Sequence, residues 1–125
     1  MITRDEVLMG RDKEFPLTPE LEANLAKLLT ALNKYRAIYG SPMLVSSGYR
    51  PGHYNRDAGG AAHSSHVVCL ACDFHDSDGQ LKAWVAANLH VLEDCGLYME
   101  DPTHTKTWLH LTVQAPKSGH RVFIP

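Results

Sequence analysis

His66, Asp73 and His110 are the residues of this chain whose types and spacing could do chemistry together. The segment Ser64-Ser65-His66-Val67-Val68-Cys69-Leu70-Ala71-Cys72-Asp73-Phe74 sets a histidine and an acid around an otherwise apolar stretch. Read as a strand over 70–75, it puts Ala71, Asp73 and His75 on one face and Leu70, Cys72 and Phe74 on the other. An acid among apolar neighbours on a sheet is costly to bury unless it is paired or binds a cation. Trp108-Leu109-His110-Leu111-Thr112-Val113 also alternates, and it places His110 on the face of Trp108 and Thr112. Two imidazoles and a carboxylate form a standard zinc set, which in a catalytic site leaves a fourth position for water. The residues alone leave a second assignment open: His66 capping a loop, Asp73 bonding backbone amides, and His110 packed in a strand. Eight histidines in 125 residues nevertheless direct attention to a site, because histidine is both the commonest metal ligand and an acid/base group.

Arg50 offers a planar fork to a carboxylate or a developing oxyanion, although an arginine on an Arg50-Pro51-Gly52 turn can equally be a surface residue. His53, Asn55, His63 and His75 could line a cleft, but each suits an ordinary loop or strand position. Tyr49 reads as core. His90 and His120 lie in a helix and near the C-terminus, away from the other candidates. Cys69-Leu70-Ala71-Cys72 invites reading as a redox pair or a zinc knuckle. A redox pair normally opens a helix, whereas this one sits in a strand-like stretch where residues three apart face opposite ways. A knuckle needs a second pair, and Cys95 is alone. Buried, inert thiols are the better reading.

These residues must be positioned by elements that the sequence signals clearly in places. Thr18 is a natural N-cap, Pro19 fits the first helical position, and Glu20 and Glu22 suit the positive end of the helix dipole. Leu21, Leu25, Leu28, Leu32, Tyr35 and Tyr39 follow at helical spacing, and Gly40 stops the helix. A second helix is expected from Asp78 to Gly96. Strand candidates are 43–47, 67–75, 97–100, 107–113 and 121–124, with Asp101 to Lys106 as a hairpin loop. Helix, strand, strand, helix, then hairpin predicts an α+β fold: a small antiparallel sheet with helices packed on it.

The length predicts a single domain over 1–125. A formal charge of −2 argues against a nucleic-acid or anionic-membrane partner, and no apolar run approaches the roughly 20 residues of a membrane span. The opening Met1-Ile2-Thr3-Arg4-Asp5-Glu6 has no apolar region of a signal peptide, so reduced thiols and a cytoplasmic location are expected. Nothing in the sequence indicates an oligomeric state.

Ser64-x-His66-x-x-Cys69-x-Ala71-x-Asp73 resembles the S-x-H-x-x-G-x-A-x-D signature of zinc D-Ala-D-Ala carboxypeptidases and their endopeptidase relatives, whose fold is shared with the hedgehog signalling domain. Ser46-Ser47-Gly48-Tyr49-Arg50-Pro51 resembles their upstream S-G-Y-R segment, and Trp108-Leu109-His110 their closing W-x-H. The blocks occur in the family's order over residues 46–110, and the remainder resembles short single-domain forms from bacteriophages and prophages. The resemblance implies a peptidase acting on peptidoglycan peptides, with His66, Asp73 and His110 as zinc ligands and Arg50 as the substrate or oxyanion contact. It implies action at the cell wall, after release from the cytoplasm or as part of a virion. A catalytically silent zinc fold, serving as a wall-binding or structural phage module, is the alternative.

Two positions depart from the pattern. Cys69 replaces a glycine, so the turn there must tolerate a side chain. Thr107 stands where many relatives carry the catalytic acid, and a zinc peptidase needs a group to take and return a proton. Glu100, Asp101 and His104 are the available replacements. Glu100 is preferred on geometry: a hairpin register with Glu100 opposite Trp108 puts it on the metal face, diagonal to His110 and roughly 7 Å away. A shift of one residue would throw it to the other face, as a solvated acid at the hairpin end.

Overall fold

The computed structural model describes residues 1–60 and 64–125. Its longest helix follows the sequence signals closely. It is the second helix in the chain, α2 (Pro19–Tyr39), after a short α1 (Arg4–Leu8) and a single 3₁₀ turn (Arg11–Lys13). Thr18 Oγ1 accepts from the Leu21 amide at 3.2 Å, and Gly40, at φ 82°, closes the helix by donating to the Arg36 carbonyl at 2.9 Å. Leu25, Leu28, Ala31, Leu32 and Tyr35 form its buried stripe. α1 was not anticipated, although Thr3 and Glu6 form a capping box that the sequence spells out.

The expected helix from Asp78 to Gly96 is two helices, α4 (Gln80–Ala87) and α5 (His90–Cys95), preceded by a five-residue α3 (His53–Asp57). Asn88 makes the break: its side-chain amide donates to the Trp84 carbonyl at 2.9 Å, competing with the helix for that acceptor. Asp78 is also not the main cap. The carboxylate of buried Asp76 accepts from the amides of Leu81 at 2.8 Å and Lys82 at 3.0 Å.

Five short strands form one sheet: β1 (Val45–Ser47), β2 (Ala71–His75), β3 (Tyr98–Glu100), β4 (Trp108–Thr112) and β5 (Val122–Phe123), in the order β1-β2-β4-β3-β5. The α+β class is as expected, but the sheet is mixed because β5 runs parallel to β3. β4 ends beside Tyr98, where β3 begins, and β5 enters beside Met99 from that same end. The strand expected over 67–75 starts only at Ala71. Residues 65–69 form a turn, and Cys69 has φ 60°, in the left-handed region that glycine would occupy without strain.

β2 and β4 give the sheet two unlike faces. Cys72 pairs with Leu111 and Phe74 with Leu109, and all four are fully buried in one core with the stripe of α2. The intervening pairs, Ala71–Thr112, Asp73–His110 and His75–Trp108, face the other way. No helix among the described residues is long and apolar enough to cross a membrane.

Candidate metal centre

The register of β2 on β4 sets Asp73 directly across from His110, and His110 Nδ1 lies 2.8 Å from Asp73 Oδ1. His66 joins them from the turn that precedes β2. Its Nε2 is 3.2 Å from Asp73 Oδ1 and 3.3 Å from His110 Nδ1. All three residues are buried, and among the described residues they are the one group of three or more histidine, cysteine or acidic side chains able to hold a metal ion.

The donor set suits a tetrahedral cation. Bonds of about 2.0–2.1 Å at tetrahedral angles separate neighbouring ligand atoms by roughly 3.3 Å, close to the observed triangle. The hydrogen on His66 is also placed. Its Nδ1 lies 2.9 Å from the Gly48 carbonyl, which can only accept, so Nδ1 carries a hydrogen and Nε2 is the ring atom that faces Asp73 and His110, free to ligate a metal that displaces any proton there. Burial alone would raise the Asp73 carboxyl, but hydrogen bonds to His110 and His66 outweigh it and hold the group well below the usual carboxylate range. A buried carboxylate fixed in its charged form beside two imidazole nitrogens is a cation site by chemistry as well as by distance.

The triangle lies on the floor of a cleft of about 610 Å³ that Arg50, Glu100, His104 and Trp108 also line. Glu100 reaches the metal face by a register different from the one expected. Tyr98 pairs with Thr112 rather than His110, and Met99 with Leu111, so the next step sets Glu100 across from His110 instead of Trp108. The offset is two residues, which preserves the face and, with the ladder continued one step past its last pair, brings Glu100 level with His110. Burial raises the Glu100 carboxyl above its ordinary range, against the pull of His110.

The other two acid/base candidates separate. Asp101 is occupied locally, accepting from the Thr103 amide at 2.8 Å and its hydroxyl at 2.6 Å, whereas His104 lines the cleft from an exposed loop. Thr107, where the family acid would stand, is exposed and is not among the residues lining the cleft. Arg50 donates its backbone amide to the His66 carbonyl at 3.1 Å. Its Nη2 makes a long 3.4 Å contact with Ser64 Oγ, and its buried Nε has no hydrogen-bond partner among the described residues.

The weaker candidates fall away from the centre. His53 is paired with Glu14 at 3.0 Å and Asp57 at 3.5 Å, and His75 is exposed at the end of β2. Asn55 is buried, with its Oδ1 only 2.0 Å from where a Cβ on Gly60 would sit. His63 lies outside the described residues. Tyr49 is core, as expected. Cys69, Cys72 and Cys95 are free and buried, and burial pushes the Cys69 thiol up to about 12 and Cys72 well above its ordinary value. Burial keeps the Cys69 thiol protonated at neutral pH, and it raises Cys95 as well.

Sequence reasoning missed the far wall of the cleft. Gln114, Ala115, Pro116 and Lys117 line it, and Phe123 of β5 sets its ring against His110 with centroids 6.0 Å apart. No periodicity marks 114–117, since those residues follow β4 as irregular chain. Phe123 was legible as a strand residue but not as a neighbour of the site, because that depends on where β5 joins the sheet.

An α+β sheet carrying a buried His-Asp-His centre at the floor of a cleft defines a metal-binding protein with an acid poised beside its ligands. The model of one family, Peptidase M15, matches residues 4–111, which include every residue of that centre, and the chain belongs to this family of metallopeptidases. The peptidases of the family are zinc-dependent. Neither the curated proteins nor the solved structures yielded a match.

Proposed function

We propose that this chain is a zinc peptidase that hydrolyses peptide bonds of bacterial peptidoglycan. The observation that carries the reading is the convergence of His66 Nε2, Asp73 Oδ1 and His110 Nδ1 within 3.3 Å, in a cleft that Glu100 and Arg50 also line. Zinc bound there supplies Lewis acidity toward water and the scissile carbonyl. Glu100 takes a proton from the attacking water and returns it to the leaving amine, and its raised pKa suits a group that must do both. Arg50 holds an anion, either the developing oxyanion or a terminal carboxylate. Among the described residues its Nε has no hydrogen-bond partner and its Nη2 only a long contact with Ser64, so the guanidinium is not committed to the protein. The substrate class follows from family likeness, since the fold does not specify it. Access to the wall would come by release during lysis or by carriage in a virion.

Thr107 favours a second reading, a zinc fold that binds the wall without cutting it. Digestion of purified peptidoglycan separates the two. The zinc-loaded chain should release peptides bearing new amino and carboxyl termini, a chelator should stop the release, and added zinc should restore it. The identity of those termini distinguishes a carboxypeptidase from an endopeptidase. Zinc binding without any release would establish the silent module instead.

A further inference from the structure

The hydrogen bond that fixes the tautomer of His66 does not come from a side chain. It comes from the backbone of Gly48, whose carbonyl lies 2.9 Å from His66 Nδ1. That carbonyl is held from behind by the N-terminal part of the chain. The Tyr49 amide donates to the Val7 carbonyl at 2.8 Å, and the Gly48 amide approaches Met9 Sδ at 3.4 Å. Arg11 Nη1 donates to the Tyr49 carbonyl at 2.9 Å. From the other side, the Arg50 amide donates to the His66 carbonyl at 3.1 Å, so the segment 48–50 is bonded to α1, to the turn after it and to the ligand-bearing turn at once.

The approach of α1 leaves no room for a side chain at residue 48. A Cβ there would sit 2.1 Å from the Val7 carbonyl oxygen and 2.8 Å from its carbon, and both are backbone atoms that cannot rotate away. Gly48 has an ordinary φ, so steric contact rather than backbone conformation requires a glycine. Any larger residue must push α1 and the 48–50 segment apart, and the carbonyl facing His66 moves with that segment.

We propose that Gly48 is a positioning residue for the metal centre. Its carbonyl, clamped by α1 and Arg11, holds a hydrogen on His66 Nδ1 and turns Nε2 toward the metal position. The proposal rests on the metal-site reading above and adds to it a determinant of affinity that is not itself a ligand. A backbone acceptor on a ligating imidazole fixes ring orientation and tautomer, and loss of such a partner typically weakens metal binding by about 10–100-fold.

The test combines histidine ¹⁵N NMR on the metal-free full chain with zinc affinities from chelator competition. In the wild type, His66 should carry a hydrogen on Nδ1 both before and after zinc is added. Gly48→Ala should raise the zinc dissociation constant by about 10–100-fold, with circular dichroism showing the metal-free fold retained. Arg11→Met loosens the same clamp without crowding α1. It should weaken zinc by a smaller factor and give a mixed His66 tautomer, and it decides the matter if Gly48→Ala does not fold. A wild-type His66 with no hydrogen on Nδ1, or a wild-type zinc constant in the folded Gly48→Ala or in Arg11→Met, would overturn the positioning role. Failure of the wild type to bind zinc would instead remove the metal-site reading on which it stands.

Discussion

The two faces of β2 and β4 are made from adjacent residues and obey opposite rules. On one face, Cys72, Phe74, Leu109 and Leu111 are fully buried against α2 and gain stability in proportion to the apolar area removed from water. On the other, Asp73 and His110 are almost as deeply buried, each 8% exposed, although burial disfavours the charge Asp73 carries. The apolar face needs only volume and pattern, and tolerates exchanges that conserve both. The polar face needs particular atoms within 3.3 Å of one another. On the proposed function, stability depends mainly on one face and activity on the other, and the two should separate under mutation.

The largest separation is expected at Glu100. Glu100→Gln keeps the shape and should leave bound zinc unchanged, while turnover on peptidoglycan falls by roughly 10² to 10⁴, the usual scale for loss of a positioned acid/base. If activity survives there but is lost in His104→Gln, the proton-transfer role belongs to the loop. The mirror experiment is Leu28→Ala, on the helix stripe covering the apolar face. It should cost about 2–5 kcal/mol in denaturant melts of the metal-free chain, with the folded protein still binding one zinc. Unequal zinc content would show that the faces are coupled. A smaller effect is expected from Cys69→Ser with Cys72→Ser, which places hydroxyls where buried thiols lie. Stability should fall by about 1–3 kcal/mol, and zinc stoichiometry should hold. Loss of zinc with the fold retained would make the thiols ligands.

What could be read from the sequence divides along similar lines. α2 was legible to the residue because its cap, first-turn proline and closing glycine act locally on the backbone. The alternation in β2 and β4 identified the face of each candidate ligand, since the period of two is a property of the strand itself. That β2 lies beside β4, with Asp73 across from His110, is a non-local pairing that no window of sequence contains. The hairpin register shows the limit well: parity was enough to place Glu100 on the metal face, but the two-residue offset depends on how the loop at 101–107 closes. There, Lys82 Nζ bonds the Thr105 and Lys106 carbonyls from another helix. The requirement for glycine at position 48 was hidden for the same reason, because the atom it must avoid belongs to Val7.

Zinc content per chain tests the central claim most directly. Elemental analysis of the purified protein should find one zinc in the wild type, held by His66, Asp73 and His110, and a sharp fall in both His66→Ala and His110→Ala while circular dichroism still reports the α+β fold. Equal zinc content in the wild type and both variants would contradict the assignment.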